Sequence, residues 1–205
     1  MSMVNVGMPQ IFQTVNIRRD KMAILITSDL HLNHDKDFIY GSRGYSTVRE
    51  MNEDIVTEWN MIIDNKDTIY VLGDIMMGKN IETAAHYWNK LKGNKKIILG
   101  NHDSKKKIEL YQTCPKTEVI GYGEIIKYKG YRFYLSHYPT LCGNVDDRDL
   151  KSCTINLCGH KHTKNAFEDW NLGKIYHVEL DTNLMYPYSL DWILLNIKEK
   201  MKNDF

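Results

Sequence analysis

MAILITSDLH, residues 22–31, sets the reading of this chain. Met22 to Thr27 is an aliphatic-rich run of the kind that makes a buried strand, and just past it stand Asp29 and His31, two side chains that bind metal ions. The same unit recurs. Thr68 to Leu72 leads into Gly73-Asp74, Lys96 to Leu99 into Gly100-Asn101-His102-Asp103, Tyr131 to Leu135 into Ser136-His137, and Thr154 to Leu157 into Gly159-His160-Lys161-His162. A strand followed by a ligand-bearing loop, repeated in this way, is expected to bring the loops to one rim of a sheet system, where the carboxyl ends of strands border a crevice. In extended backbone, residues two apart face the same way. Asp29 with His31, and His160 with His162, therefore read as pairs able to grip one cation or two adjacent ones. A lone D-x-H, G-D or H-x-H is more often an ordinary turn or surface pair. The weight lies in the ordered set, which holds five of the eight histidines.

Outward from these units, Glu118 to Tyr122, Glu124 to Tyr128 and Lys174 to Leu180 read as further strands, and Lys129-Gly130 as the turn of a hairpin between Ile125 to Tyr128 and Tyr131 to Leu135. Thr47-Val48-Arg49-Glu50 is a capping box, after which Val48, Met51, Ile55, Trp59 and Ile62 recur at helical spacing. A second helix is expected from an Asn80 cap through Ile81, Ala84, Ala85, Trp88 and Leu91 to Gly93, and a third from near Ser189 with Leu190, Ile193, Leu194 and Ile197 on one face. Strand and helix alternation followed by strands in a row predicts an α/β chain with a mixed sheet system covered by helices. The 205 residues suit a single domain over 1–205, with 1–21 an N-terminal extension or edge strand.

The formal charge of +1 gives no argument for a nucleic-acid partner, which stays possible but unindicated. No apolar stretch approaches ~18 residues and no secretory signal is visible, so no membrane partner and a cytoplasmic location are expected. Cys114, Cys142, Cys153 and Cys158 form no CxxC pair and read as reduced core thiols. Oligomeric state is not legible.

The pattern D-x-H, G-D, G-N-H-[DE], H and G-H-x-H resembles that of the calcineurin-like metallophosphoesterase superfamily, and within it the compact bacterial and phage-type phosphoesterases. The resemblance spans roughly Met22 to Lys198. It implies a four-layer α/β/β/α sandwich of two mixed β-sheets, the metallophosphatase fold, with an open site at the sheet edges. It also implies hydrolysis of phosphomono- or phosphodiesters, nucleotide or nucleic-acid-like small substrates favoured, by a hydroxide bridging two divalent ions. Carried over by motif, Asp29, His31, Asp74 and His162 would hold the first ion, and Asp74, Asn101, His137 and His160 the second. Mixed nitrogen and oxygen donors suit manganese, iron or zinc. Two divalent ions bring +4, the two aspartates remove 2 and the hydroxide 1, leaving about +1 to attract a phosphate ester. His102 resembles the residue that contacts phosphate or protonates the leaving oxygen, with Asp103 expected to fix its tautomer and raise its basicity.

Two further residues are substrate candidates. Arg43, in the Gly-rich stretch Tyr40 to Tyr45, could clamp a phosphate while its aromatic neighbours stack on a base or sugar, with a solvated loop an equal reading. His34, three beyond His31, could reach substrate, though a surface-loop role is the more natural reading. His86 and His177 read as surface or core-edge residues, and Lys105, Lys106 and Lys107 as a solvated run or a steering patch. A structural zinc on Cys158, His160 and His162 would leave Asp29, Asp74 and Asn101 unexplained. Gly73 to Gly78 lacks the longer G-D-x-x-D-R-G element of the Ser/Thr protein phosphatases, which disfavours phosphoprotein substrates. A catalytically silent binding scaffold on the same fold is the alternative of another class, and degenerate ligands would be its mark.

Overall fold

The computed structural model describes residues 21–142 and 149–203. The expectation for the N-terminal extension lies outside the described residues. Nine strands form two mixed sheets among the described residues. The first, of order β4-β3-β2-β1-β9, takes β1 (Ile24–Thr27), β2 (Thr68–Leu72), β3 (Asn94–Ile98) and β4 (Thr117–Gly121) in parallel, with β9 (Tyr188–Ser189) antiparallel to β1. The second, of order β5-β6-β7-β8, pairs β5 (Gly123–Tyr128) antiparallel to β6 (Tyr131–Ser136), while β7 (Thr154–Cys158) and β8 (Ile175–His177) continue in parallel.

The apolar runs are continuous because both faces of the first sheet are covered. Leu25, Ile69, Val71 and Ile97 join a core under the helices α2 (Val48–Ile62) and α3 (Ile81–Lys90). Their strand neighbours Ile26, Tyr70, Leu72 and Ile98 enter a second core with Phe133, Leu135, Ile155, Leu157 and Tyr176 of the opposite sheet. The helix α6 (Leu190–Asn203) seats Leu190, Ile193 and Ile197 in that second core. Two sheets packed over a shared core with helices outside are the α/β/β/α arrangement expected from the sequence.

Local chemistry fixes the elements. The Thr47 hydroxyl accepts the Glu50 amide at 3.1 Å, and the Glu50 carboxylate takes the amide of Ser46, one residue before the cap. Asn80 caps α3 through the Thr83 amide at 3.0 Å. Lys129 and Gly130 both take positive φ (49° and 84°), the paired left-handed residues of a tight hairpin turn, with Tyr128 opposite Tyr131. Several short elements lacked a sequence reading: β9, α1 (Asp37–Tyr40), α5 (Trp170–Gly173) and a 3₁₀ turn at Leu180–Thr182. The long strand expected over 174–180 ends at His177, beyond which the Val178 amide still donates to the Cys158 carbonyl at 2.8 Å and Glu179 bridges to Ser28.

Candidate metal centre

All five ligand-bearing loops leave the carboxyl ends of β1, β2, β3, β6 and β7, and they are laced together through backbone hydrogen bonds. The amides of Asp29 and His31 donate to the carbonyls of Gly73 and Asp74 at 3.1 and 3.0 Å. Gly159 donates to the His137 carbonyl at 3.0 Å, and Leu180 to Ser28 at 3.2 Å, which ties the loops of the two sheets to each other. The packing leaves no room for side chains at the glycines between them. A Cβ at Gly159 would collide with Ser28 Oγ and Asp29 Oδ2, and one at Gly100 with Asp74 Oδ1.

The backbone at the ligands differs from the sequence reading. Asp29, His31, Asp74, His160 and His162 all sit in the left-handed region, with φ of 56°, 51°, 55°, 79° and 51°. Each pair is therefore aimed inward by individual backbone twists rather than by strand alternation. Such conformations cost of order 1–3 kcal/mol each and cluster where function over-determines the backbone.

The seven expected ligand side chains face one another. Asp29 Oδ1 lies 3.7 Å from His31 Nε2 and 3.6 Å from His162 Nε2. Asp74 Oδ2 lies 4.0 Å from His31 Nε2 and 3.6 Å from His137 Nε2. His137 Nε2 in turn is 2.8 Å from Asn101 Oδ1 and 3.2 Å from His160 Nδ1. Donors bonded at about 2.0–2.2 Å to one ion stand roughly 3–3.5 Å apart, so these separations suit cations between them. Two groups of carboxylate and imidazole atoms could hold an ion, Asp29 with His31 and His162, and Asp29 with Asp74 and His137. The second places Asp29 nearer both positions than the motif assignment did.

The donor chemistry passes an independent test of fit. Asp29 Oδ2 is engaged by Ser28 Oγ and by the His160 amide at 2.9 Å, yet buried Oδ1 has no hydrogen-bond partner, and neither has buried His31 Nε2. An unpaired buried carboxylate oxygen facing an unpaired buried imidazole nitrogen is costly unless a cation joins them. At His137 the Leu72 carbonyl, 2.8 Å from Nδ1, can only accept, so Nδ1 carries the proton and Nε2 presents a lone pair toward the Asn101 oxygen. Two acceptors in that apposition could be joined by a cation.

Electrostatics agree. Burial pushes the Asp29 carboxyl up, but His31, His137 and His162 outweigh it and hold it at about 2. Burial lowers the imidazoles of His31 and His160, which keeps their lone pairs free. At His162 the depression from burial is overcome by Asp181 and Asp29, and its pKa is raised.

Several neighbours depart from expectation. Asp103 does not touch the His102 ring. It is buried, with Oδ2 accepting the amides of Asp74 and Gly100 at 3.0 and 2.8 Å and Oδ1 accepting the Tyr111 hydroxyl at 2.6 Å. Two loop amides left without strand partners draw the carboxylate inward, so it clips two ligand loops together. Arg43 is likewise not a phosphate clamp. Its side chain is 1% exposed, and its guanidinium is spent on both Asp181 oxygens (3.1 and 2.8 Å) and on the carbonyls of Leu30 and Asp29 (3.0 and 2.7 Å). Lys107 turns in to donate to the His102 carbonyl at 2.7 Å, apart from any solvated run. His177 is fully buried between Asp169 and Glu179, at 2.8 and 3.1 Å, rather than at a surface or core edge.

His102 stands half exposed with Nε2 3.9 Å from Asp74 Oδ2, while its amide donates to Asp74 Oδ1. His34 packs on His31, ring centroids 5.0 Å apart, with their Nδ1 atoms 2.9 Å apart. Asp181 was missed by sequence reasoning, although Val178-Glu179-Leu180-Asp181 alternates apolar and acidic residues at the end of the last apolar run. Its Oδ2 accepts from His162 Nδ1 at 2.9 Å. Cys158 points toward His177, at 3.8 Å, and all four cysteines are free thiols.

Carboxylate, amide and imidazole donors thus gather at the edges of the two sheets, in groups able to hold a metal ion. The calcineurin-like phosphoesterase family model matches residues 22–203, and the chain belongs to that family. An uncharacterized protein of Methanocaldococcus jannaschii is 30% identical over 188 residues, covering 86% of this chain and 92% of that one. The gene 66 protein of Mycobacterium phage L5 is 34% identical over 79 residues, 38% of each chain. In fold, a protein of unknown function from Aquifex aeolicus superposes with a TM-score of 0.65 at 24% identity, covering 86% of this chain and all of that one.

Proposed function

We propose that the protein is a dinuclear metal-dependent phosphoesterase that cleaves phosphomono- or phosphodiesters of small, nucleotide-like substrates. The observation that carries this reading is the pair of orphaned buried atoms, Asp29 Oδ1 and His31 Nε2, facing Asp74 and His162. Asp29, His31, Asp74 and His162 would hold one divalent ion, and Asp74, Asn101, His137 and His160 the other. When bound, such a pair of ions supplies a hydroxide nucleophile near neutral pH and offsets charge on the non-bridging phosphate oxygens. Manganese, iron and zinc all suit donors of this kind.

The chain's own groups do the rest. Asp74 holds its Oδ1 on the His102 amide, which leaves Oδ2 to face both ligand groups. His102, exposed at the mouth, is placed to touch a phosphate oxygen or hand a proton to the leaving group. Asp103 holds two loop amides, and Arg43 holds Asp181 and two loop carbonyls. No helix among the described residues is long and apolar enough to cross a membrane, and the four free thiols support the cytoplasmic location read from the sequence.

The test is hydrolysis of bis-p-nitrophenyl phosphate and p-nitrophenyl phosphate by protein stripped with chelator and reloaded with manganese, iron or zinc. Activity restored only by metal supports the reading, whereas inactivity in every reloaded sample supports the binding scaffold. A second expectation concerns Asp181. A carboxylate on the far nitrogen of a ligand imidazole fixes its tautomer and ring orientation, and losing it weakens metal affinity about 10–100-fold. D181N is expected to lower manganese affinity by that amount at one of two sites, read by calorimetric titration. Two unchanged sites would refute the role.

A further inference from the structure

We infer that Phe38 and His34 form a stacking platform for the nucleobase of a single nucleotide unit, an assignment that rests on the phosphoesterase reading above. The aromatic residues that the sequence offered for stacking are taken. Tyr40 and Tyr45 pack against the first core, and the Tyr45 hydroxyl is held by Asp54 at 2.5 Å. Phe38, in contrast, is 65% exposed on a helix that is itself anchored. Its neighbour Ile39 is buried in the core, and Gly41 closes the turn onto the Asp37 carbonyl at 2.8 Å.

A single exposed phenyl is ordinary, but this one continues an aromatic path out of the metal centre. His34 lies nearly parallel on His31, at 5.0 Å and 24°, and Phe38 stands edge-on to His34 at 5.7 Å and 82°. All three line one cavity of about 570 Å³, together with Asp74, His102 and His162. A phosphate seated at Asp74 and His102 therefore places its organic group against the His34 and Phe38 wall. With the two rings nearly perpendicular, a base lies flat on one ring and meets the other edge-on, and such stacking on an aromatic face is open to any base.

Charge points away from longer phosphate chains. Among the described residues lining the cavity, Lys164 is the single lysine or arginine, and it pairs with Asp181 at 3.5 Å. A second or third phosphate would find no cationic partner there, whereas a base finds two rings. A single phosphate with one base is the ligand that uses the whole cavity.

The experiment measures competitive inhibition of bis-p-nitrophenyl phosphate hydrolysis by adenosine 5′-monophosphate and by ribose 5-phosphate, which share sugar and phosphate and differ by the base. In manganese-loaded protein the nucleotide is expected to bind at least about tenfold more tightly. F38A should bring that ratio to about two or less by weakening the nucleotide alone, and F38W should restore it, with melting curves confirming the fold of each. Equal inhibition constants in the unsubstituted protein, or a ratio that F38A leaves unmoved, would overturn the platform while hydrolysis itself keeps the phosphoesterase reading intact. Absence of hydrolysis would overturn both.

Discussion

Asp74→Asn is expected to lower hydrolysis at least roughly a thousandfold and to reduce bound metal from two ions per chain to at most one. Asparagine keeps the shape and one oxygen, so the His102 amide retains its acceptor at the Oδ1 position and the loop its path. What disappears is the negative charge of Oδ2, the atom set 3.6 Å from His137 Nε2, 3.9 Å from His102 Nε2 and 4.0 Å from His31 Nε2. An ion pair stripped of its shared carboxylate loses transition-state charge stabilisation on the order of 4 kcal/mol, which corresponds to about a thousandfold in rate. Metal content by plasma mass spectrometry and initial rates on bis-p-nitrophenyl phosphate check the two halves separately. Two tightly bound ions in an active Asn variant would show that Asp74 is not shared.

His102→Asn should separate chemistry from metal uptake. The ring is 47% exposed and stands outside the two groups of donors that could hold an ion, so two ions are expected to bind with affinities within about twofold of the unsubstituted protein. Turnover is expected to fall about 10²–10⁴-fold, the range for loss of a positioned acid or base. The loss should be smaller for p-nitrophenyl esters than for a nucleoside leaving group, because p-nitrophenolate departs with little need of a proton. Equal losses for both leaving groups would reassign His102 to holding phosphate, and parallel loss of metal would make it a ligand.

Much of this architecture was legible because its signals are local. An aliphatic run ending in Gly-Asp or Gly-Asn-His needs no distant partner to be recognised, and the Thr47 and Asn80 caps lie beside the helices that they start. The supports of the site are written differently. Arg43 meets Asp181 across 138 positions, and nothing near Arg43 distinguishes a guanidinium destined for burial from one awaiting phosphate. Asp103 follows His102 in sequence, yet its carboxylate goes to whichever unpaired amides lie closest in space. His177 looks like any strand histidine until Asp169 and Glu179 close over it. β9 is too short to show a period of two, although it completes the sheet beside β1.

The left-handed backbone at five of the ligands was the least accessible feature. Strand alternation gave a sound reason for Asp29 and His31 to point the same way, but the residues lie beyond β1, where the chain has already left the sheet. Hydrogen bonds from Asp29 and His31 to the neighbouring loop set those dihedrals, and loop-to-loop pairing is a tertiary property.

Anomalous diffraction from crystals grown with manganese is the most direct test of the metal centre. The expected result is two peaks about 3.5–4 Å apart, both in contact with Asp74, one bordered by Asp29, His31 and His162 and the other by Asn101, His137 and His160. A single peak, or two peaks of which Asp74 touches only one, would contradict a centre built on a shared carboxylate.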